Sequence, residues 1–440
     1  MIHSYPHDLV VSLQQRWSYT ALDSKDDKKT YLLPATEVLN DLISTCYQVS
    51  QMQEETRQIR FRLMMAEPDD YGSADAGLLQ GLFVMKFTNQ RPFNTYELLK
   101  LAPALNFNNA MIGVRFREKD GLQIWGVIHT GSRWTQIIHG GSKTAVPLPK
   151  ALAVHVMGPG RLTVFRGHEI LVQLSAGKII SPAVNVFQAE WMTTRFSQVQ
   201  KRLSAIHAQN PELVKNEWAK VDPDFVGKLY LEFFKHVIST VRRSGHGGMI
   251  LSFPAGMANL ISKDNPYISI KYRFTEGGAS QQLKTLVLEI MKVLSIVCGR
   301  RYGPDYVAGW DDYVELQGKR LIPLDEQVFK YARFVAGLTG VDGAVVTTEG
   351  PELIGYGGII QGNFEMGEHV AKALDPEGIQ RKIERIESVG TRHRSCYYLC
   401  KKLHDALGIV VSQDGEVRIV TWGEDSVLYW DVIPIDFATD

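Results

Sequence analysis

The sequence predicts a two-part protein of mixed class. An N-terminal α+β domain with an antiparallel sheet is expected over 1–190, a helical connector over 191–221, and a C-terminal α/β domain with a mixed sheet flanked by helices over 222–440. Three observations predict this. The 440 residues exceed one ordinary core, since domains average roughly 150 residues. Between about 110 and 190, short apolar runs alternate with glycine-bearing turns, as in an antiparallel meander. Beyond 222, helical repeats alternate with apolar strands, the pattern of a helix-flanked sheet.

The elements follow in order. The first thirty residues end in the charged run Ser24 to Lys29, which reads as a solvated lead-in. Pro34, then Val38, Leu39, Leu42, Ile43, Cys46 and Val49 on one stripe, predict an amphipathic helix. A strand over 59–65 follows, then strands at 111–116, 122–128, 152–156, 162–165 and 170–174, with turns at Lys119 to Gly121 and Gly158 to Gly160. In the second half, helices are predicted from about 224, over 281–298, over 326–338 and over 394–407. Strands are predicted at 249–253, 341–347, 408–412 and 417–421. The charged stretch Glu368 to Glu387 reads as a helical insert that could lid or block a site.

Apolar residues make up 45% and charged residues 22%, a globular balance that excludes a disordered or collagen-like chain. Lys plus Arg and Asp plus Glu are 48 each, so the net charge is 48 − 48 = 0. No global field recruits nucleic acid or an anionic membrane. Four cysteines with no C-x-x-C pair fit a reducing compartment, and Cys396 and Cys400, one helical turn apart, read as buried thiols. No secretion signal or membrane span is expected, which makes the cytoplasm the expected location.

Two segments carry residue types without an easy packing role. In Asp342-Gly343-Ala344 a carboxylate heads an apolar strand and glycine lets backbone approach a ligand. In Gly390-Thr391-Arg392-His393-Arg394-Ser395 three basic side chains stand at a predicted helix start, where cations are unfavourable unless an anion compensates them. Guanidinium forks, the Thr391 hydroxyl and free N–H groups suit a polyphosphate. Taken singly, an Asp-Gly pair is usually a turn and a basic tripeptide a solvated surface. Together they suggest a metal carboxylate facing a phosphate cradle.

The blocks Asp342 to Ala344, Gly390 to Arg394 and Val411-Ser412-Gln413 resemble, in order, the signatures of the diadenylate cyclase domain of DNA-integrity scanning proteins and membrane-bound cyclic di-AMP synthases. The resemblance covers about 222–435 and includes Gly247 to Leu251 as the first strand. It implies condensation of two ATP molecules into a cyclic adenine dinucleotide, with Mg²⁺ or Mn²⁺ held by Asp342. Arg392, His393 and Arg394 would contact phosphate oxygens. Gly343, Ala344, Ile360, Gly390, Thr391, Ser395 and Ser412 would line the nucleotide. It also implies a homo-oligomer with cyclase domains face to face, because each ATP must attack the other. The alternative is a catalytically silent nucleotide sensor. Asp342 and Arg392 are 392 − 342 = 50 positions apart, longer than that family usually shows, and a second insertion falls at about 276–315. The first half, through Leu33-Pro34 to Leu63 and Ile124 to Trp134, resembles sensor regions that precede such cyclases in prokaryotic signalling and conflict systems, with no ligand implied.

Three weaker features are read as structural. Gly140 to Thr144 lacks the spacing of a phosphate-binding loop. His129, His139 and His155 lack short metal-ligand spacing. Phe116, Trp125 and Trp134 are better placed in a core than under a stacked base.

Overall fold

In the computed structural model, the chain is described over residues 3–20, 31–71, 83–107, 110–129, 149–167, 169–175, 177–180, 186–210, 218–257, 261, 265–275, 279–316, 321–362, 369–386 and 389–432. It divides into two compact units, 1–182 with 436–440, and 183–435. The run 24–29, the segment 140–144, His139 and Trp134 lie outside the described residues.

The first unit opens with α1 (Pro6–Thr20), where the sequence suggested a lead-in. Leu9, Val10, Leu13 and Trp17 form its buried stripe, and they pack with Leu39, Leu42, Ile43, Cys46 and Val49 of α2 (Thr36–Ser50), the helix that the spacing predicted. A small hairpin, β1 (Gln53–Glu54) with β2 (Arg57–Gln58), precedes the main sheet. That sheet contains β3 (Phe61–Met65), β4 (Phe83–Pro92), β5 (Ala110–Arg117), β6 (Gly121–His129), β7 (Leu152–Gly158), β8 (Arg161–Arg166), β9 (Glu169–Ser175) and β10 (Lys178–Ile180). Their order is β10-β9-β8-β7-β3-β5-β6-β4. Every neighbouring pair is antiparallel except β3–β5, which run parallel because β4 and α3 (Thr95–Leu101) intervene in the chain. Gly121 closes the β5–β6 turn at φ +69°, as its place in the sequence suggested.

The second unit begins earlier than its predicted start at 222. Helices α4 (Glu190–Arg195) and α5 (Ser197–Ala208), in the stretch read as a connector, bury Met192, Phe196 and Leu203 in its core. β11 (Lys220–Val221) pairs with β14 (Val307–Ala308). The helices α6 (Phe225–Ser244), α7 (Ala279–Tyr302), α8 (Trp310–Glu315) and α9 (Leu321–Leu338) precede α10 (Thr391–Lys402). The large sheet runs β13-β16-β15-β12-β19-β20-β21-β17-β18. Its strands are β12 (Gly248–Phe253), β13 (Ile268–Arg273), β15 (Ala344–Thr348), β16 (Leu353–Ile360), β17 (His369–Ala373), β18 (Arg381–Arg385), β19 (Leu407–Val411), β20 (Val417–Trp422) and β21 (Val427–Val432). Strand alternation makes three layers. Ile250 and Val345 face a core with α6, α7 and α9, while Met249, Leu251 and Val346 face Cys396, Tyr397 and Leu399 of α10.

The stretch 368–387, expected to be a helical insert, forms the β17–β18 hairpin over its described residues, added to the sheet by parallel pairing of β17 with β21. Asp375-Pro376 followed by Gly378 at φ +69° supplies the turn, and Asp375 accepts from the backbone N–H of Ile379 and Gln380. These residues break a helix and leave short alternating strands on either side. Among the described residues, no helix is long and apolar enough to cross a membrane.

Candidate functional site

Four strand ends meet on one side of the large sheet. Ala344 opposes Gly358, Ile250 opposes Val345 in parallel, and Gly248 opposes Val411. The start of β15, the start of β12 and the ends of β16 and β19 therefore share one edge. Asp342 is exposed just before β15. Gly343 has φ +109°, and a Cβ there would stand 2.7 Å from the Gly357 backbone carbon. Only glycine permits that approach. Ile360, at the end of β16, is buried beside Ile268 and does not project freely from the edge.

The basic block opens α10. Gly390 is the N-cap, no side chain caps the helix, and no acidic residue stands in its first turn. The first N–H groups of α10 therefore have no side-chain acceptor from its N-cap. Arg392 Nη1 donates to Val411 O at 3.4 Å, and a Cβ on Gly247 would lie 2.6 Å from the same Nη1 and from Val411 O. The guanidinium is thus laid over the Gly247 backbone at the edge that Asp342 heads. β15 and β19 are two strand spacings apart, about 10 Å, with β12 between them. Thr391 and Arg394 are exposed.

His393 differs from its neighbours. It is buried, and its Nε2 has no hydrogen-bond partner among the described residues. Burial first, then the Arg418 cation, pushes its pKa down to about 4, partly opposed by Asp431 and Asp414. The ring is neutral near pH 7. Two of the expected ligand hydroxyls are engaged locally: Ser395 Oγ donates to Thr391 O at 2.9 Å, and Ser412 Oγ donates to Asp414 and lies 3.1 Å from Glu416 O.

Below His393 lies a network that the sequence did not announce. Arg418 Nε donates to Asp431 at 2.8 Å, Arg418 Nη1 donates to the Tyr397 hydroxyl at 3.1 Å, and Lys372 Nζ pairs with Asp431 at 2.5 Å. Burial alone would raise the Asp431 carboxyl, but Arg418 and Lys372 bring it below the ordinary value. Arg418 and Asp431 are directly opposed on β20 and β21, a cross-strand relation visible only once register is known.

No three His, Cys, Asp or Glu side chains among the described residues are grouped to hold a metal ion. Asp342 alone suits the kind of magnesium site in which one or two carboxylates share the ion with substrate phosphates. Cys396 and Cys400 are buried thiols, as their spacing suggested. His129 on β6 and His155 on β7 are separated by β3 and β5, and Trp125 is buried with Nε1 donating to Ala66 O at 2.8 Å.

Residues 28–129 match a family model described as "Probable sensor domain DACNV". No curated protein matches the chain, and no solved structure matches it. The matched span lies within the first unit.

Proposed function

We propose that the chain is a signalling protein in which the second unit is a diadenylate cyclase-type nucleotidyltransferase, regulated by the sensor-type first unit. The observation that carries this reading is the juxtaposition at one sheet edge of Gly343, Gly247 and the uncapped α10 N-terminus bearing Arg392. The N–H groups at the helix start and the guanidinium can meet a phosphate's charge there. The sensor-domain match supports the signalling part of the reading.

Two ATP molecules lie antiparallel between two copies, each 3′-hydroxyl aimed at the other's α-phosphate, because in-line displacement of pyrophosphate needs that alignment. Arg392, with exposed Arg394, offsets charge developing on the leaving pyrophosphate. His393, neutral at pH 7, contributes a hydrogen bond rather than a second charge. Asp342 holds Mg²⁺ or Mn²⁺, which supplies Lewis-acid polarisation of the α-phosphate when bound. Gly390, Thr391, Gly343 and Ala344 border the nucleotide.

Pure protein incubated with ATP and Mg²⁺ or Mn²⁺, with products identified by mass spectrometry, tests the reading. A cyclic adenine dinucleotide is expected. Asp342→Asn keeps the shape but removes the anionic ligand, so product should vanish while circular dichroism and melting stay unchanged. Turnover equal to that of the unsubstituted protein would remove Asp342 from the metal role. Tight ATP binding without product at any protein concentration would instead favour the silent sensor.

A further inference from the structure

A cleft of about 460 Å³ opens in the second unit at the start of α6, within the size range of small-molecule sites, roughly 300–1,000 Å³. Its frame is the parallel pair β11 and β14: Lys220 N donates to Tyr306 O at 2.9 Å, and Asp222 N donates to Ala308 O at 2.8 Å. The Tyr306 hydroxyl donates to Asp312 Oδ1 at 2.9 Å and the Gly309 N–H to Asp312 Oδ2 at 2.8 Å, so ring and carboxylate hold each other in place. Tyr302, the last residue of α7, has its ring 4.5 Å from that of Tyr306 and is 47% exposed. Trp310 is braced by Phe225 and Tyr313, at 6.1 and 5.2 Å between ring centres.

The charges of this wall are not neutralised within it. Asp311 is exposed and makes no hydrogen bond or ion pair among the described residues. Asp222 Oδ1 accepts from Asp224 N at 2.9 Å, while its Oδ2 accepts no hydrogen bond among the described residues. Lys228 belongs to the same wall and pairs with none of the three acids. Three carboxylates against one ammonium leave an excess of two negative charges. Arg301, 5.1 Å from the Tyr302 ring centre, is not part of the wall. The acids do not converge either, since no three such side chains among the described residues are grouped to hold a metal ion. Carboxylates spread around one cleft, with aromatic rings among them, match cations held apart on a stem.

We infer that this cleft binds a small organic dication, two ammonium or guanidinium groups joined by a methylene stem. Asp311 and Asp222 take the charged ends through charge-assisted hydrogen bonds, and Asp312 adds its field. The rings of Tyr302 and Trp310 flank the stem and attract its charges. Diamines and basic amino acids share this chemistry. The carboxylate of an amino acid meets Lys228, whereas a diamine leaves that ammonium unmatched. α6 is 20 residues long, so the cleft at its start lies about 30 Å from Gly247 beyond its end. The site is separate from the phosphate edge, and the inference does not depend on cyclase activity.

The test titrates the full-length protein by calorimetry with cadaverine, lysine and the monocation pentylamine. At least one dication should bind in the millimolar range or tighter, with pentylamine about tenfold weaker or more. Tighter binding of lysine identifies a basic amino acid, and tighter binding of cadaverine a diamine. Asp311→Asn and Asp222→Asn keep shape while removing charge, and Asn at 222 can still accept from Asp224 N. Each should weaken the dication about fivefold or more and leave the ligand-free melting temperature unchanged. Asp305→Asn, in the same loop but outside the cleft wall, should alter affinity less than about twofold. Failure of both dications to bind at about 10 mM overturns the proposal, as does pentylamine binding equally well. Unchanged affinity in both cleft variants, or an equal loss in Asp305→Asn, overturns it too.

Discussion

Arg392 is held over the Gly247 backbone before any ligand arrives, so its loss should be felt by phosphate and not by base. Arg392→Ala is expected to weaken ATP by about 1.5–3 kcal/mol, roughly 10- to 100-fold, and to leave adenosine nearly unchanged in calorimetry. Equal losses for the two ligands would show that the side chain serves only to pack the edge. His393 gives a pH signature. Its folded-state value, about 4, lies below the ordinary 6.5, so the unfolded chain takes up the proton first. Stability is therefore full above about pH 6.5 and falls as pH drops through 4, by about 3 kcal/mol in all at 1.36 kcal/mol per unit. His236, held down to about 3 chiefly by burial, acts in the same direction. His393→Gln should shrink the difference between urea midpoints at pH 7 and pH 4.5, and an unaltered difference would contradict this account. Glycines provide a control of opposite signs. Gly343→Ala meets the Gly357 backbone at a positive φ and should lower the melting temperature, whereas Gly337→Ala, inside α9 with nothing within 4 Å, should raise it by up to about 1 kcal/mol of stability.

Among the elements, legibility followed the kind of order each one has. The strands from β5 to β9 and helices α2, α6 and α7 were readable because their apolar spacing is local and regular. α1 was not, since Leu9, Val10, Leu13 and Trp17 are interleaved with Gln14, Gln15 and Arg16, and the charged run behind them suggested solvent. The β17–β18 segment reads as a helix from its density of charges, whereas the Asp375-Pro376 turn makes it a hairpin. At the candidate site, Gly343 and the basic block were visible as residues out of place. The Arg418–Asp431 pair was invisible because its two members meet only through register. That half-buried pair can be measured. Asp431→Asn, which leaves Arg418 and Lys372 short of their shared partner, should cost about 2–4 kcal/mol in chemical unfolding. Asp69→Asn, which breaks the exposed pair with Lys86, should change almost nothing.

For the whole molecule, the division at 182/183 sets the experiment on regulation. Under the proposed cyclase reading, two copies of the second unit bring each nucleophile to its phosphate, so specific activity should fall on dilution if pairing is weak. A chain beginning at residue 183 should show a different concentration dependence, and identical curves would argue that the first unit does not gate assembly. The placement of β21 also bears on how this protein is made. β17 and β18 are complete at Arg385, yet the strand that joins them to the sheet starts at Val427, 427 − 385 = 42 positions later. At about 5–20 residues per second a ribosome needs roughly 2–8 s to supply it. During that interval the growing chain carries an unpaired edge on β17, joined by one on β20 once Trp422 has been added, each able to pair with another nascent chain. Translation halted just before Val427 should therefore yield a product that collects chaperones or aggregates, while release a few residues after Val432 should not.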